Sequence, residues 1–549
     1  MLQDRILDLC KKVFSTDQFT LLTPTYPTFG DYAVHTSQLN SDSEKISSLV
    51  HALSQSPLLD KVELKGAFIN MFVSIQALHG ELESIMQEGD DYGKLQSQFS
   101  RRIMLEYGQP NTHKLPHLGH LFSYLYGESL SRVLEWAGHT IFRCNYQGDI
   151  GLHVAKCLYV AQQKSSHISQ LRTLDEKVSF LQTCYQEGSA AYESDLASKA
   201  AIDELNKRLY AHDTEIADLW KETRQWSLDY YLQFEKTLDA RFDRYFFESE
   251  TWKVGIDLVK EHTEKSELPI FEESDGAVVF KGENYGLHTR VFITSHNTPT
   301  YEAKDLGLIS LKKDVWPFDV SLVTTANEQN AYWKVVIKAA ELVFPEMAGK
   351  MKHLGFGMIN LKGSKMSSRT GVIISSTDLL ETVRSLVQKQ LEPQPESLQA
   401  LTIASVKYAF LKSDPKKNMI FDFDESISLH GNSGPYLLYA YARMRSILRQ
   451  AKLQNVSITS IAGVELELLR LLPRFPEIIT DAARSYAPHI IASYLIRLTH
   501  TFNTFYEQCP VLQASDPEQK QFRLALTTAT AHIVKNGLHI LGIDVAEKL

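Results

Sequence analysis

The sequence predicts an α/β chain: a parallel-sheet domain interrupted by a helical insertion, with a small α+β unit before it and an all-helical bundle after it. Three observations carry this. Strand-like runs alternate with helical ones from Arg101 and again from about Gly276, as βα units do. Between them a charged stretch centred on ELNKRLYAHDTEIADLWKETRQWSLDYYLQFEKTL has helical spacing. From about Val383 onward almost everything is helical, with breaks at SDPKKN and SLHGNSGP.

Taken in order, residues 1–95 hold an opening helix, a turn-rich TPTYPTFGDYA, a helix around Ser43–Leu53 and the strand-like KVELKGAFINMFVS. The GDDYG of Gly89–Gly93 marks a boundary. RRIMLEYG (Arg101–Gly108) reads as a strand ending in turn residues. After PNTHKLPHLGHL, a helix places Leu118, Leu121, Phe122, Leu125, Leu130, Val133 and Leu134 on one spacing and stops at Gly138. TIFRCNYQGDIG is the next strand. The helical insertion covers about 155–264, and strands resume with GAVVF, RVFITS and DVSLVTTA, alternating with helices. A Gly/Ser-rich loop, INLKGSKMSSRTGVIIS, closes this 96–385 domain, and 386–549 form the helical bundle.

Bulk properties bound the function. A chain of 549 residues is too long for one core. Hydrophobic and charged contents of 44% and 22% are those of a globular protein, and no apolar run reaches the roughly 18 residues of a membrane span. The opening MLQDRILDLCKKVFSTDQF lacks a signal-peptide core, and five cysteines without a CxxC pair suit reduced thiols, so a cytoplasmic location without zinc or membrane is expected. Net charge is −9, but from Leu401 onward 16 basic residues face 13 acidic ones. An acidic body with a mildly basic tail can bind a polyanion locally, because distant charge is screened.

Two constellations carry chemistry. His117 and His120 bracket Leu-Gly on the first turn after a strand, where open α/β sheets hold phosphates. Alone, the pair reads more simply as capping or surface histidines. About 250 residues later Lys365-Met366-Ser367-Ser368-Arg369 sits in a glycine-flanked loop able to bring positive charge over a triphosphate. A solvated basic loop is its plainer reading.

HLGH followed by KMSSR resembles the two signatures of class I aminoacyl-tRNA synthetases, and the surrounding residues resemble the arginyl-tRNA synthetase family. FGDYA, GAFINMFVS, LEYGQPNTHKLPHLGHL, NYQGDIG, YEAKDLGLI, NEQN, HLGFGMINLKGSKMSSR, GNSGPYLLYAYARMRSIL, FNTFYEQCPVL and LGIDVAEKL follow in that family's order over nearly the whole chain. The resemblance implies a Rossmann-type catalytic domain, an N-terminal domain touching the tRNA elbow and a C-terminal anticodon-binding bundle. It implies ligation of L-arginine to its tRNA with ATP and Mg2+ accompanying the nucleotide, by a chain with no feature demanding a dimer.

The resemblance also assigns residues. His117 and His120 would donate to the phosphates, Gly119 would admit the adenine, and Gly357, Met358, Lys365, Met366 and Ser367 would complete the ATP site. Position 368 is Ser where the wider class carries a second lysine; the family instead has a lysine three residues before the first histidine, here Lys114. Glu106, Asp305 and Tyr301 would meet the guanidinium, whose five donors need carboxylates and neutral acceptors. Asn111 and Gln329 would hold the amino and carboxylate ends. A helix-end charge for Asp305 and a strand-edge salt bridge for Glu106 are the plainer readings. For tRNA, Tyr436, Tyr439 and Arg443 share a helical face, with Tyr506 and Leu549 nearby candidates and Asn70 and Phe72 in the N-terminal unit. FINMF equally suits a core strand, and the tyrosines a buried stripe. His153 stands where the family more often has Gln. A class I enzyme for another amino acid, or an inactive tRNA-binding paralogue, are the rival readings.

Overall fold

Strand runs and amphipathic helices sort into two bodies in the computed structural model, which describes the chain apart from residues 25, 40–41, 97–99, 265–268, 363–374, 455 and 457–460. The first body gathers Met1–Leu95, Pro393–Ala404 and Ser428–Leu549. In it β1 (Tyr32–His35), β2 (Leu59–Lys65) and β3 (Phe68–Val73) form an antiparallel sheet with β3 central. Period-two alternation buries Tyr32, Val34, Ile69 and Met71 on one face. The helices Gly434–Arg449, His489–Gln508 and Pro517–Ile540 carry the bundle core.

The N-terminal segment and the bundle, expected as separate domains, share this one body. Tyr32 donates its hydroxyl to Glu477 at 2.5 Å, and the Asn536 amide donates to the carbonyls of Gly89 and Tyr92 at 3.0 and 3.1 Å. Such buried polar contacts between distant segments leave no signature in local sequence.

The second body holds Gln96–Glu392 and Ser405–Ile427. Its sheet consists of β4 (Arg102–Glu106), β5 (Thr140–Gln147), β6 (Arg244–Phe247), β10 (Val320–Ala326) and β11 (Met351–Phe356), all parallel, in the order β11-β10-β4-β5-β6. The chain runs outward from β4 to β6, then returns to build β10 and β11 on the other side. That reversal makes the carboxyl ends of β4 and β10 the topological switch point, where open α/β sheets bind ligands.

Two expectations are corrected here. The span 155–264 is not helical throughout: helices Leu152–Gln163, Leu174–Ser194, Leu196–Tyr210 and Thr214–Thr237 are followed by β6. RYFF is only four residues long and its pairing with β5 supplies the strand. Likewise AVVF and RVFI do not continue the parallel sheet. With β7 (Glu272–Ser274) they form a separate antiparallel sheet, as β8 (Ala277–Phe280) and β9 (Arg290–Ile293). The expected βα alternation failed there because the only helical segment between β8 and β9 is the four-residue 3-10 turn Gly282–Tyr285, too short for a parallel crossover. Within the helical tail, Met419–Phe421 is β13, paired with β12 (Ile359–Leu361).

Candidate active site

At the switch point lies a cleft of about 500 Å³, lined by residues that include Glu106, Asn111, His117, Gly119, His120, Glu248, Tyr301, Asp305, Gln329 and Tyr332. This is the size of a small-molecule site. Seven distant segments meet here because each follows the carboxyl end of a strand or opens a helix.

The signature histidines shape the start of helix Leu118–Trp136. His117 Nδ1 accepts from the Gly119 N–H at 3.1 Å, and His120 Nδ1 accepts from the His117 N–H at 3.2 Å. Their rings stack with centroids 3.8 Å apart. Surrounding protein desolvates both: burial, then Lys114 beside it, pushes His117 down to about 4, and His120 lies well below the ordinary histidine range for the same reasons and its neighbour's charge. Both rings are therefore neutral at pH 7. With each Nδ1 accepting, the proton is assigned to Nε2, leaving each ring one N–H to donate. Gly119 is needed for this cap, since a Cβ there would stand 2.9 Å from the His117 ring.

Three buried carboxylates face the cleft, and their partners differ. Glu106, at the end of β4, is ion-paired with Lys312 and accepts from Gln109 Nε2 at 2.9 Å. Glu248 is ion-paired with Lys304 at 2.6 Å. Burial opposes the Lys312 and Lys304 charges, but their carboxylates more than offset this and hold both ammonium groups above the usual range. Asp305 has the Tyr332 hydroxyl as donor and, among the described residues, no cation in salt-bridge reach. Burial pushes its carboxyl up to about 8; Tyr332 and, least, the more distant Lys312 charge oppose this, while Glu106 and Glu248 add to it. Helix Tyr301–Val315 places Tyr301 one turn before Asp305, and Tyr301, 62% exposed, stands at the mouth. Exposed Gln329 also lines the mouth.

Helix Tyr301–Val315 sits close because glycines face it and lie within it. A Cβ on Gly255 would fall 1.8 Å from the Ala303 carbonyl, and one on Gly307 2.2 Å from that of Thr251. Asn111 is held by the bridge between its loop and Gly148: the Thr112 N–H donates to the Gly148 carbonyl at 2.8 Å. His153 Nε2 meets that same carbonyl at 3.2 Å, so this position braces the loop rather than lining the cleft.

Other expected residues are placed elsewhere. Lys114 is not among the lining residues; its ammonium lies 5.6 Å from the centre of the Tyr185 ring. Phe356 lines the cleft, whereas Gly357 and Met358 bond to the 415–418 segment, through Pro415 O at 2.8 Å and Asn418 Oδ1 at 2.9 Å. Lys365, Met366 and Ser367 lie outside the described residues. Sequence reasoning missed Glu248, Lys304, Lys312 and Tyr332. The one available signal was the spacing Asp305–Lys312, two turns apart on one helical face.

In the first body, Tyr436, Tyr439 and Arg443 line one groove with His500 and Asn503. Arg443 donates to Asn503 Oδ1 at 3.2 Å, Asn503 donates to the Tyr436 hydroxyl at 2.8 Å, and the Arg443 guanidinium lies 5.8 Å from the Tyr506 ring centre. Leu549 is in a different cleft, with Gln394 and Ser397. Asn70 is buried in central strand β3, and Phe72 is half-buried beneath Lys61.

Comparison with known proteins agrees with this architecture. Residues 81–423 match the family model of tRNA synthetases class I (R), catalytic domain, and residues 437–549 match the DALR anticodon binding domain. The chain is 30% identical to an arginine–tRNA ligase of Treponema denticola, covering 98% of this chain and 96% of that one. It is 30% identical to that of Parabacteroides distasonis, covering 91% and 89%. The structure of the Thermus thermophilus arginyl-tRNA synthetase superposes with a TM-score of 0.81 at 22% identity over the full length of both, a likeness of fold. With a switch-point cleft behind paired histidines and relatives of this identity along its length, the chain belongs to the arginyl-tRNA synthetase family of class I aminoacyl-tRNA synthetases.

Proposed function

We propose that the cleft activates L-arginine with ATP and that the chain then transfers the arginyl group to its tRNA. The arginine carboxylate attacks the α-phosphorus, the bond to the β-phosphate oxygen breaks, and pyrophosphate leaves. The terminal ribose hydroxyl of the tRNA next attacks the arginyl carbonyl, releasing AMP. The chain forms no covalent bond in either step, so positioning and charge stabilisation supply the rate.

Asp305 is the observation that carries this reading. With Glu106 neutralised by Lys312 and Glu248 by Lys304, it is the one buried lining carboxylate without a cation among the described residues. A guanidinium brings one permanent positive charge and planar donors to such an acceptor. Glu106, held by Lys312 and Gln109, would shape the pocket floor, and Tyr301 and Gln329 would close its mouth over the substrate's backbone end with Asn111. His117 and His120, neutral with Nε2–H free to donate, would stabilise charge moving onto the departing phosphates without a proton transfer. Gly119 leaves room for the adenine, Lys114 would approach the phosphates from its loop, and Lys365 keeps the phosphate role that the family resemblance gives it.

Among the described residues no three His, Cys, Asp or Glu side chains gather as a metal site. Magnesium, bound through phosphate oxygens and water, would accompany the nucleotide. The Tyr436–Tyr439–Arg443 groove is the proposed seat of unpaired anticodon-loop bases, by stacking and phosphate contact. The five thiols are all free, as suits a reducing cytoplasm. No described helix is long and apolar enough to cross a membrane. We take the working form to be a monomer.

The test is ATP–pyrophosphate exchange with each of the twenty amino acids, with and without total tRNA. Exchange with arginine is expected; exchange with another amino acid instead would remove Asp305 from its assigned role.

A further inference from the structure

We infer that one face of the insertion helix Thr214–Thr237 is a positioning rail for the loop Gly108–Lys114, with Ser227 and Tyr231 fixing its backbone, Thr223 holding the His113 ring and Glu235 acting through Asn145. This rests on the proposed function, because the loop carries Asn111 and Lys114 and leads into His117.

The loop has an uncommon backbone. Gln109 and His113 are non-glycine residues at φ 54° and 66°, and a side chain rarely adopts this region unless its surroundings impose it. The imposing groups come from positions spaced by four along a single helix. Thr223 Oγ1 meets His113 Nε2 at 2.9 Å, and Ser227 Oγ accepts from the His113 N–H at 2.9 Å. The Tyr231 hydroxyl reaches the carbonyls of both Asn111 and Lys114, at 2.5 and 2.7 Å, stapling the two ends of the turn. Glu235 accepts from Asn145 Nδ2 at 2.9 Å, which turns Asn145 Oδ1 toward the Gln109 N–H, 3.0 Å away. Residues 223, 227, 231 and 235 form one stripe.

The same helix also grips the loop after β5. Trp220 Nε1 donates to the Asp149 carbonyl at 2.8 Å, and Arg224 Nε donates to the Asp149 carboxylate at 2.7 Å. Both loops that follow β4 and β5 are thus registered against one rigid element. His113, buried and pushed down to about 3 by that burial, is neutral; its Nε2 meets the helix at Thr223, and its Nδ1 meets the neighbouring Thr112 hydroxyl within the loop. A loop with two left-handed residues and no such partners would relax, carrying Asn111 and the approach to His117 with it.

The experiment compares Tyr231→Phe, Ser227→Ala and Thr223→Val with Thr223→Ser, which keeps the hydroxyl. Tyr159→Phe serves as control, since its hydroxyl bonds Ser198 within the insertion. Arginine activation is measured per active site, by titration, so misfolded molecules do not count. Losing one staple is expected to lower kcat/KM for arginine about tenfold in Tyr231→Phe. The tRNA KM stays unchanged, Thr223→Ser recovers what Thr223→Val loses, and Tyr159→Phe matches the parent. Hydrogen–deuterium exchange over residues 106–121 is expected to quicken in Tyr231→Phe and not in Tyr159→Phe. Unchanged kcat and KM per titrated site in both Tyr231→Phe and Ser227→Ala would overturn the rail, whatever happens to Tm. If the parent fails to activate arginine at all, the proposed function falls instead, and the exchange of residues 106–121 still decides whether the helix holds the loop.

Discussion

Asp305→Asn tests the proposed arginine pocket most directly. Before arginine binds, burial holds the Asp305 carboxyl up at about 8, so near neutrality most molecules keep it protonated. A guanidinium favours the carboxylate, and binding must therefore expel a proton. The sign follows from linkage: below that value the bound state holds fewer protons than the free state, so arginine affinity rises with pH. The slope is about tenfold per pH unit, so arginine KM should fall roughly 30- to 100-fold between pH 6 and pH 8 and level off above. His117 is neutral across this window and contributes no slope. Asp305→Asn keeps the size of the side chain and removes the ionisable group. Truncating one partner of a buried charge pair costs about 2–5 kcal/mol, so arginine KM should rise on the order of 30- to several-thousand-fold, and its pH slope should vanish. The same raised carboxyl makes the parent's stability decline as pH rises between the unfolded value and about 8, so Asp305→Asn should be the more stable chain at pH 8. The assays are ATP–pyrophosphate exchange across pH 6–8 and urea unfolding at both ends. A flat arginine KM in the parent, or a variant with the parent's KM, would refute the reasoning.

Three further outcomes follow from the same geometry. Lys312→Met leaves Glu106 buried without its cation and should cost about 3–5 kcal/mol in urea unfolding, with part recovered by adding Glu106→Gln. Gly255→Ala forces a methyl against the Ala303 carbonyl; it should cost about 1–3 kcal/mol in unfolding and raise arginine KM by displacing the helix that carries Asp305. Tyr439→Ala should raise the tRNA KM, measured in aminoacylation, by roughly 5- to 150-fold through lost base stacking, with arginine KM unchanged at saturating tRNA.

Much of the site was legible because its parts are local. The spacing HLGH forces two rings onto one helical turn, and the structure finds them stacked. The strands ending at Glu106 and Ala326 follow from patterning within a dozen residues. What escaped was set by pairing across the chain. RYFF is a strand because β5 lies beside it, and AVVF and RVFI leave the parallel sheet because they pair with each other. Glu106 and Asp305 were both assigned to the guanidinium by the resemblance, yet the fold brings Lys312 to Glu106, an ion pair as its plainer reading had it, and a tyrosine to Asp305.

By itself the sequence determined the order of segments, the α/β class and the signature turn with its two histidines, since these depend on periodicity and residue chemistry over short spans; Glu106 and Asp305 came from the family resemblance, and Glu248 only from the structure. Only the tertiary structure decided which strands neighbour one another, that the switch point falls between β4 and β10, and that the insertion helix grips the signature loop. It also decided the charge state of the pocket. Burial and ion pairing act through space, so Asp305 becomes the carboxylate left for a cation only once the chain has brought Lys304 and Lys312 to its neighbours.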